Sequence, residues 1–439
     1  MKVSPISSTS LSSRDVLAIP AVNSVDFLRA VFDCYADGTL FSIHRPETDL
    51  TDYVGQVNLM DLPVSPQLGW VQLDYTLNRS DALAQIVFTS GTEGSPKPIL
   101  LSHRNLSDVV ERLNEAMGLT SEVREYIGVP VTYSFGLGRA RAVAAVGGTA
   151  YLPRRFDPLE IREMLERDQI NAISAVPSLW QAVLAHPEAI GEAGKKVRWI
   201  EIGSQYMSST DKAEMVRLFP NARIVQHYGL TEASRTTFLD ISQVDPDLFE
   251  SVGFPTGAVD IKIDKEGAVC IRGDHVALGM LDEAGTIQSL CGDEGWLVTR
   301  DRGEIQSGAL HYLGRLDDQI NISGIKIAAE TFEDEITTLV PVARGHIAAT
   351  ALKDRTRGEI VLLGIEKDVD CERMLIEAAA RLVLKRRGIT SHEVLQFITV
   401  LALPRTETNK IQRRHLSRNY WTDKGDAQKE RGDLTGLTA

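Results

Sequence analysis

Between residues 157 and 226 the chain alternates helical patterns with short apolar runs, and that rhythm narrows its fold more than any other feature. Asp157-Pro158-Leu159-Glu160 reads as a helix start, with a side-chain cap, a proline at the first helical position and an acidic third residue. This helix is expected to run to about Asp168. A buried strand follows near residues 172–176, another over 197–202, a helix over 211–219 and a strand over 223–226. Parallel strands need helical crossovers of this kind, so the expectation is an α/β sheet with parallel pairing.

At 439 residues the chain is too long for one hydrophobic core and should form two or three domains. Beyond Val252 the texture changes. Glycines recur at Gly253, Gly257, Gly267, Gly273, Gly279 and Gly285 between β-like runs such as Val269-Cys270-Ile271, which predicts a smaller, mainly antiparallel subdomain. After Leu316 an α+β pattern predicts a helix from about Glu330, strands near His346 and Ile360, and a helix from about Glu372. That last helix closes on Lys385-Arg386-Arg387-Gly388, cations at its negative end before a glycine stop. The tail after Trp421 is polar.

A formal net charge of -13 argues against nucleic acid as the main partner, because nucleic-acid binding calls for a basic stripe. Cationic patches should then be local. The four cysteines, Cys34, Cys270, Cys291 and Cys371, show no metal spacing and read as reduced thiols. The polar, Ser-rich start and the lack of a long apolar run predict no membrane span and a cytoplasmic location.

Five segments carry chemistry. Residues 87–97, VFTSGTEGSPK, run from an apolar strand into a loop of glycine and hydroxyl residues ending on Lys97. Such a loop suits a triphosphate: glycines allow close backbone approach, the hydroxyls donate and the lysine supplies charge. It is not the Walker pattern, since Pro96 precedes the lysine and no Ser or Thr follows it. Downstream come His227-Tyr228-Gly229-Leu230-Thr231-Glu232 after a predicted strand, then Thr299-Arg300-Asp301. Gly314-Arg315-Leu316-Asp317-Asp318-Gln319-Ile320 follows, and the last is Pro404-Arg405-Thr406-Glu407-Thr408-Asn409-Lys410. Taken singly, these read equally as surface turns, a helix cap or solvated charged loops. Their joint occurrence in this order is hard to obtain by chance.

Together they resemble the adenylate-forming superfamily of acyl-CoA synthetases, peptide-synthetase adenylation domains and luciferases, over roughly residues 81–416. The resemblance implies a large N-terminal domain of α/β subdomains plus a β-rich one (residues 1–315). It also implies a small mobile α+β C-terminal domain (316–421), followed by the polar tail (422–439). The implied activity has two steps: a carboxylic acid attacks the α-phosphate of Mg·ATP to give an acyl-adenylate, and a thiol then takes the acyl group. By the same resemblance Thr89, Ser90, Gly91, Thr92, Gly94 and Lys97 cradle the β- and γ-phosphates. Gly203 and Ser204 flank adenine, Tyr228 stacks on it, Gly229 belongs to the same ATP site, Thr231 touches the α-phosphate and Glu232 holds Mg²⁺. Asp301 accepts the ribose hydroxyls with Arg315 nearby, and Lys410 bridges the carboxylate and α-phosphate. Asp317 is the hinge and Gly324 faces the thiol channel. The acceptor is coenzyme A or the phosphopantetheine of a separate acyl or peptidyl carrier protein.

Several positions depart from the family pattern. Glu93 stands where Thr or Ser is usual, Pro98 and Arg300 each replace a glycine, and Asn409 replaces the glycine before the lysine. A carboxylate about 4 Å from a phosphate costs roughly 4 kcal/mol at an effective dielectric of about 20. Only some eighty residues precede the loop; residues 24–36 match the helix before a strand of the first subdomain, and a partner or homo-oligomer could cover the face left open. Tyr133, in Pro130-Val131-Thr132-Tyr133-Ser134-Phe135-Gly136, takes a place that often carries histidine in the acid pocket. No Asp or Glu lies between residues 130 and 150 to pair an ammonium, which favours a fatty or aryl acid over an amino acid. Two alternatives remain at this stage: a non-catalytic nucleotide-binding or assembly protein on the same fold, and a ligase passing the acyl group to an amine or alcohol.

Overall fold

A computed structural model describes residues 11, 15–45, 48, 50–51, 53–63, 65–89, 97–205, 207–292, 294–316, 319–354, 356–405, 411–413 and 415–417. The chain divides into two compact units, residues 1–299 with 304–311, and residues 300–303 with 312–439.

Two large mixed sheets build the first unit. In one, the strands Arg223–Leu230, Trp199–Ile202, Ala172–Ala175, Arg124–Ile127 and Thr149–Leu152 lie side by side in parallel. The predicted alternation thus forms the centre of the sheet. Asp157 caps the helix Pro158–Glu166 as expected, accepting from the Leu159 and Glu160 amides. Antiparallel strands complete the edges: Ala233–Asp240 and Phe254–Pro255 on one side, Gly69–Val71 on the other.

The second sheet orders Ile287–Gln288, Gly279–Leu281, Pro98–Ser102, Leu83–Phe88, Phe41–His44, Asp15–Pro20 and Gln56–Leu59. Helix Val25–Asp37 is capped by Ser24, which accepts from the Phe27 amide, and links the parallel strands Asp15–Pro20 and Phe41–His44. Helix His103–Met117 packs beneath through Leu106, Val110, Leu113 and Met117, three to four residues apart on one face. Ser102 and Asn105 form a reciprocal capping box at its start, and Gly118 in the left-handed region ends it.

The β-rich texture beyond Val252 divides among three sheets, Phe254–Pro255 joining the eight-stranded one. Asp260–Ile263, Ala268–Arg272, Leu297–Gln306 and Ala309–Arg315 form a four-stranded sheet, whose last hairpin holds the division between the units. Gly279–Leu281 and Ile287–Gln288 instead extend the seven-stranded sheet. The reason is pairing: Gly279 and Met280 oppose Leu100 and Ile99.

In the second unit, Ile325–Ala328, Gln319–Ile322, Gly358–Glu366 and Ile347–Asp354 form an antiparallel sheet, with Leu395–Val400 added in parallel to Gly358–Glu366. Helices Ala329–Leu339 and Arg373–Arg386 pack their apolar residues, among them Phe332, Ile336, Ile376 and Leu384, into its core. Among the described residues no helix is long and apolar enough to cross a membrane.

Candidate active site

The phosphate-type loop is the connection of an antiparallel hairpin. Phe88 pairs with Pro98, and the neck closes where the Thr89 amide donates to the Lys97 carbonyl at 3.0 Å and the Lys97 amide to Thr89 Oγ1 at 3.1 Å. Pro98 opens the returning strand, a position that tolerates a missing N–H. Ser90, Gly91, Thr92, Glu93 and Gly94 lie outside the described residues, and the cradle expected of them stays a proposal.

The HYGLTE segment differs from its sequence reading. The strand does not stop at Gln226 but runs to Leu230, and turns through Thr231 and Glu232 into the antiparallel strand Ala233–Asp240. No helix is capped there. The register slips between Tyr228 and Leu230, with Gly229 at the slip, because a Cβ at that position would strike the Arg235 backbone nitrogen. The Tyr228 ring is buried, while Thr231 and Glu232 are half-buried at the turn.

A short strap joins this turn to the loop. The Ala277 amide donates to the Glu232 carbonyl at 2.8 Å, and the next amide, Leu278, donates to the Leu100 carbonyl at 3.0 Å. Val276 bridges Ala233 on one side, and Gly279 pairs with Leu100 on the other. Asn105 holds the strap from below, its amide donating to the Asp274 and Val276 carbonyls at 2.7 and 2.9 Å. Asn105 was not singled out in the sequence; its signal was Ser102-x-x-Asn105 before an apolar helix.

Beneath the hairpin lies a buried charge network that sequence reasoning also missed. Glu201, inside the strand Trp199–Ile202, accepts from Arg235 Nε at 2.7 Å and meets Arg139 Nη1 at 3.0 Å and His227 Nδ1 at 2.6 Å. Arg139 also pairs with Glu125. All four charged side chains are at most 1% exposed, and two guanidiniums balance two carboxylates. Burial alone would raise the Glu201 carboxyl, but Arg235, His227 and Arg139 outweigh it and hold it well below the usual carboxylate range. For His227, burial wins over the pull of Glu201 and pushes the imidazole down. Phe135 meets that ring edge-on at 5.2 Å. Arg235 itself has φ 54, a strained backbone for a non-glycine residue that the network holds in place.

Gly203 follows directly, and its lack of a side chain is required: a Cβ would strike the His227 imidazole. Ser204 then adopts the left-handed region at φ 71. Tyr133 occupies the cap position of helix Ser134–Ala145 without a side-chain cap. The Arg45 guanidinium lies 4.5 Å from its ring centroid and donates to the Thr132 carbonyl at 2.7 Å. Through Phe135 and Gly138, which contacts Arg235, this helix start adjoins the same network.

In the second unit, Asp301 and Arg315 are half-buried on neighbouring strands, where the Leu316 amide donates to the Arg300 carbonyl at 2.7 Å. Gly324 and Ser323, both at positive φ (94 and 51), make a two-residue turn between Ile322 and Ile325. Asp317 and Lys410 lie outside the described residues. The base of the Lys410 segment is fixed, however: Arg405 bridges Ile411, and the Gln412 amide donates to the Pro404 carbonyl at 2.7 Å. Arg413 then anchors to Glu333 and to the Ala349 carbonyl.

The model of the AMP-binding enzyme family matches residues 39–281, more than half of the chain, and the chain belongs to this family. It aligns at 24% identity with 4-coumarate–CoA ligase-like 2 of Arabidopsis thaliana, covering 92% of this chain and 74% of that one. The chain spans as little as 49% of the length of other curated relatives it matches. Among solved structures it resembles ATP-bound MatB from Rhodopseudomonas palustris, with a TM-score of 0.75, 21% identity, and 93% and 89% of the two chains covered. It also resembles o-succinylbenzoate CoA synthetase from Bacillus subtilis in complex with its acyl-adenylate, with a TM-score of 0.72, 20% identity, and 92% and 88% covered. These likenesses bear out the adenylate-forming superfamily and its α/β fold.

Proposed function

We propose that the chain is an AMP-forming ligase that activates a carboxylic acid with Mg·ATP and passes the acyl group to a thiol. The observation that carries this reading is the strap, which ties the return strand of the phosphate-type loop to the Glu232 turn. Family membership and the ATP- and adenylate-bound structural neighbours support the same reading.

A carboxylate oxygen attacks the α-phosphorus, forming the mixed anhydride as the bond to pyrophosphate breaks. A thiolate sulfur then attacks the acyl carbon, and AMP leaves with the electron pair. Both reactants of the first step are anionic, so the chain must surround the developing pentavalent phosphorus with donors and cations. Thr89, Ser90, Gly91, Thr92, Gly94 and Lys97 take the β- and γ-phosphates, Thr231 the α-phosphate and Lys410 the two reacting oxygens. Tyr228, set beside Gly229 and Gly203 above the buried network, positions adenine; Ser204 flanks it; Asp301 and Arg315 serve the ribose.

Glu232 fits Mg²⁺, which is commonly held by one or two carboxylates together with substrate phosphates. Among the described residues no three metal-ligating side chains cluster. The ion, when bound, neutralises phosphate charge. Coenzyme A or a carrier-protein phosphopantetheine is the acceptor, and the acid is of the fatty-or-aryl class, the likeness to a 4-coumarate–CoA ligase-like protein lending support to an aryl member.

ATP–pyrophosphate exchange with a panel of fatty, aryl and amino acids tests the reading. At least one aryl or fatty acid should support exchange; folded protein that exchanges with none would overturn it. Lys410→Ala should lower exchange by about 10²–10³-fold while ATP binding by equilibrium dialysis persists.

A further inference from the structure

Arg112, Arg139, Arg235 and Arg413 are buried, and each stands against a carboxylate: Asp108, Glu125, Glu201 and Glu333 in turn. Arg141 departs from that rule. It is 5% exposed and lies two residues beyond Arg139 on helix Ser134–Ala145, so it sits about 200° around the helix from that residue. Among the described residues no carboxylate pairs with it.

Arg141 Nη1 donates instead to the Tyr35 hydroxyl at 2.7 Å, and the guanidinium lies 5.6 Å from the centroid of that ring. Tyr35 in turn donates to Gln85 Oε1 at 3.1 Å, so its one proton is committed. Burial pushes the Tyr35 phenol up to about 12, so the ring stays neutral and supplies no countercharge. Tyr75 meets Tyr35 with ring centroids 5.6 Å apart, and Phe32 and Phe41 pack on the same ring. Two buried groups of this cluster, Arg141 Nε and the Tyr75 hydroxyl, have no hydrogen-bond partner among the described residues. Both can donate, so what they lack is an acceptor.

A buried lysine can shed its proton: Lys212 of the same unit is pushed down to about 7 by burial. A guanidinium cannot escape in that way. Water would satisfy the two donors yet leave the charge uncompensated in a dry interior.

We propose that Arg141 Nε and the Tyr75 hydroxyl bind a small monovalent anion of the chloride class. One negative charge balances one guanidinium, whereas sulfate or doubly ionised phosphate would leave a buried net charge of the opposite sign. Tyr35, Tyr75 and Gln85 are each no more than 9% exposed, which closes the site to larger ligands. The ion, when bound, fastens helix Ser134–Ala145 to helix Val25–Asp37 and to Leu83–Phe88, the strand that enters the phosphate-type loop. Arg139 fastens the same helix to the other sheet through Glu125.

The test melts the full-length protein in mixtures of sodium chloride and sodium gluconate at fixed ionic strength. Screening is then constant, and only an anion that binds the folded chain moves the midpoint. The wild-type midpoint should rise with chloride and saturate as one-site binding requires. Arg141→Met should abolish the rise. Tyr75→Phe, which removes one donor and keeps the ring, should weaken the apparent chloride affinity by about tenfold or more. A bromide-soaked crystal should show anomalous density beside Arg141 Nε and Tyr75, a readout that stands even where Arg141→Met does not fold. A midpoint indifferent to chloride would overturn the proposal, as would a rise that both variants retain or bromide density found only elsewhere. A rise with acetate and none with chloride would also overturn it, because the site would then take a carboxylate. None of these readouts depends on the ligase reading.

Discussion

His275 is buried beside Arg112, with Nε2 3.1 Å from Thr236 Oγ1, and burial followed by the Arg112 charge pushes its ionisation down to about 3. An unfolded histidine ionises near pH 6.5, so between about pH 6.5 and 3 the unfolded chain binds the extra proton. The stability His275 contributes is therefore complete above about pH 6.5 and drains away as the pH falls toward 3. Urea titrations across that window should show His275→Gln losing stability less steeply than wild type; parallel slopes would show that another group sets the acid response. Glu201 makes a second test at this scale. Glu201→Gln leaves Arg235 without its carboxylate partner inside the network, and breaking a buried pair of this kind costs about 3–5 kcal/mol, read as a lower urea midpoint. A variant within about 1 kcal/mol of wild type would mean the network adjusts its protonation.

Hairpin geometry makes a sharper claim about single elements. Ser323-Gly324 forms its turn with both residues at positive φ, the arrangement for which Asn-Gly is preferred. Ser323→Asn should raise thermal stability by a few tenths of a kcal/mol. Gly324→Ala should lower it by about 1 kcal/mol through backbone strain, since no atom lies within 4 Å of the added Cβ. Elements were also where the sequence was most and least readable. The helix at Asp157 announced itself because cap, proline and acidic residue all act locally. The extension of the strand past Gln226 did not, because a bulge at Gly229 and a partner strand starting at Ala233 decide it. Arg139, Glu125, Glu201 and Arg235 escaped notice because their partners lie 14 to 34 positions apart or more, although a glutamate inside the apolar run WIEI was a visible hint. The motif segments of the candidate site could be named from the sequence one by one; the strap that joins two of them could not, since it is made by backbone amides.

For the whole molecule, charge is unevenly spread between the two units. The first unit, with 40 carboxylates against 25 cations, repels itself, whereas the second is nearly balanced. Raising salt from about 10 mM to about 150 mM shortens the screening length from roughly 30 Å to 8 Å. In calorimetry the transition belonging to the first unit should move upward while that of the second stays in place. Equal movement of both would show that local ion pairs, not net charge, govern the response.

Ala277 and Leu278 are consecutive residues whose amide protons face opposite limbs of the proposed nucleotide site. One is held by the carbonyl of Glu232, the other by the carbonyl of Leu100, so the molecule carries two adjacent reporters on two different halves. Hydrogen exchange at these neighbours would follow each half separately: a nucleotide gripped first by its phosphates would slow Leu278 before Ala277, and one seated first at the metal carboxylate would reverse that order.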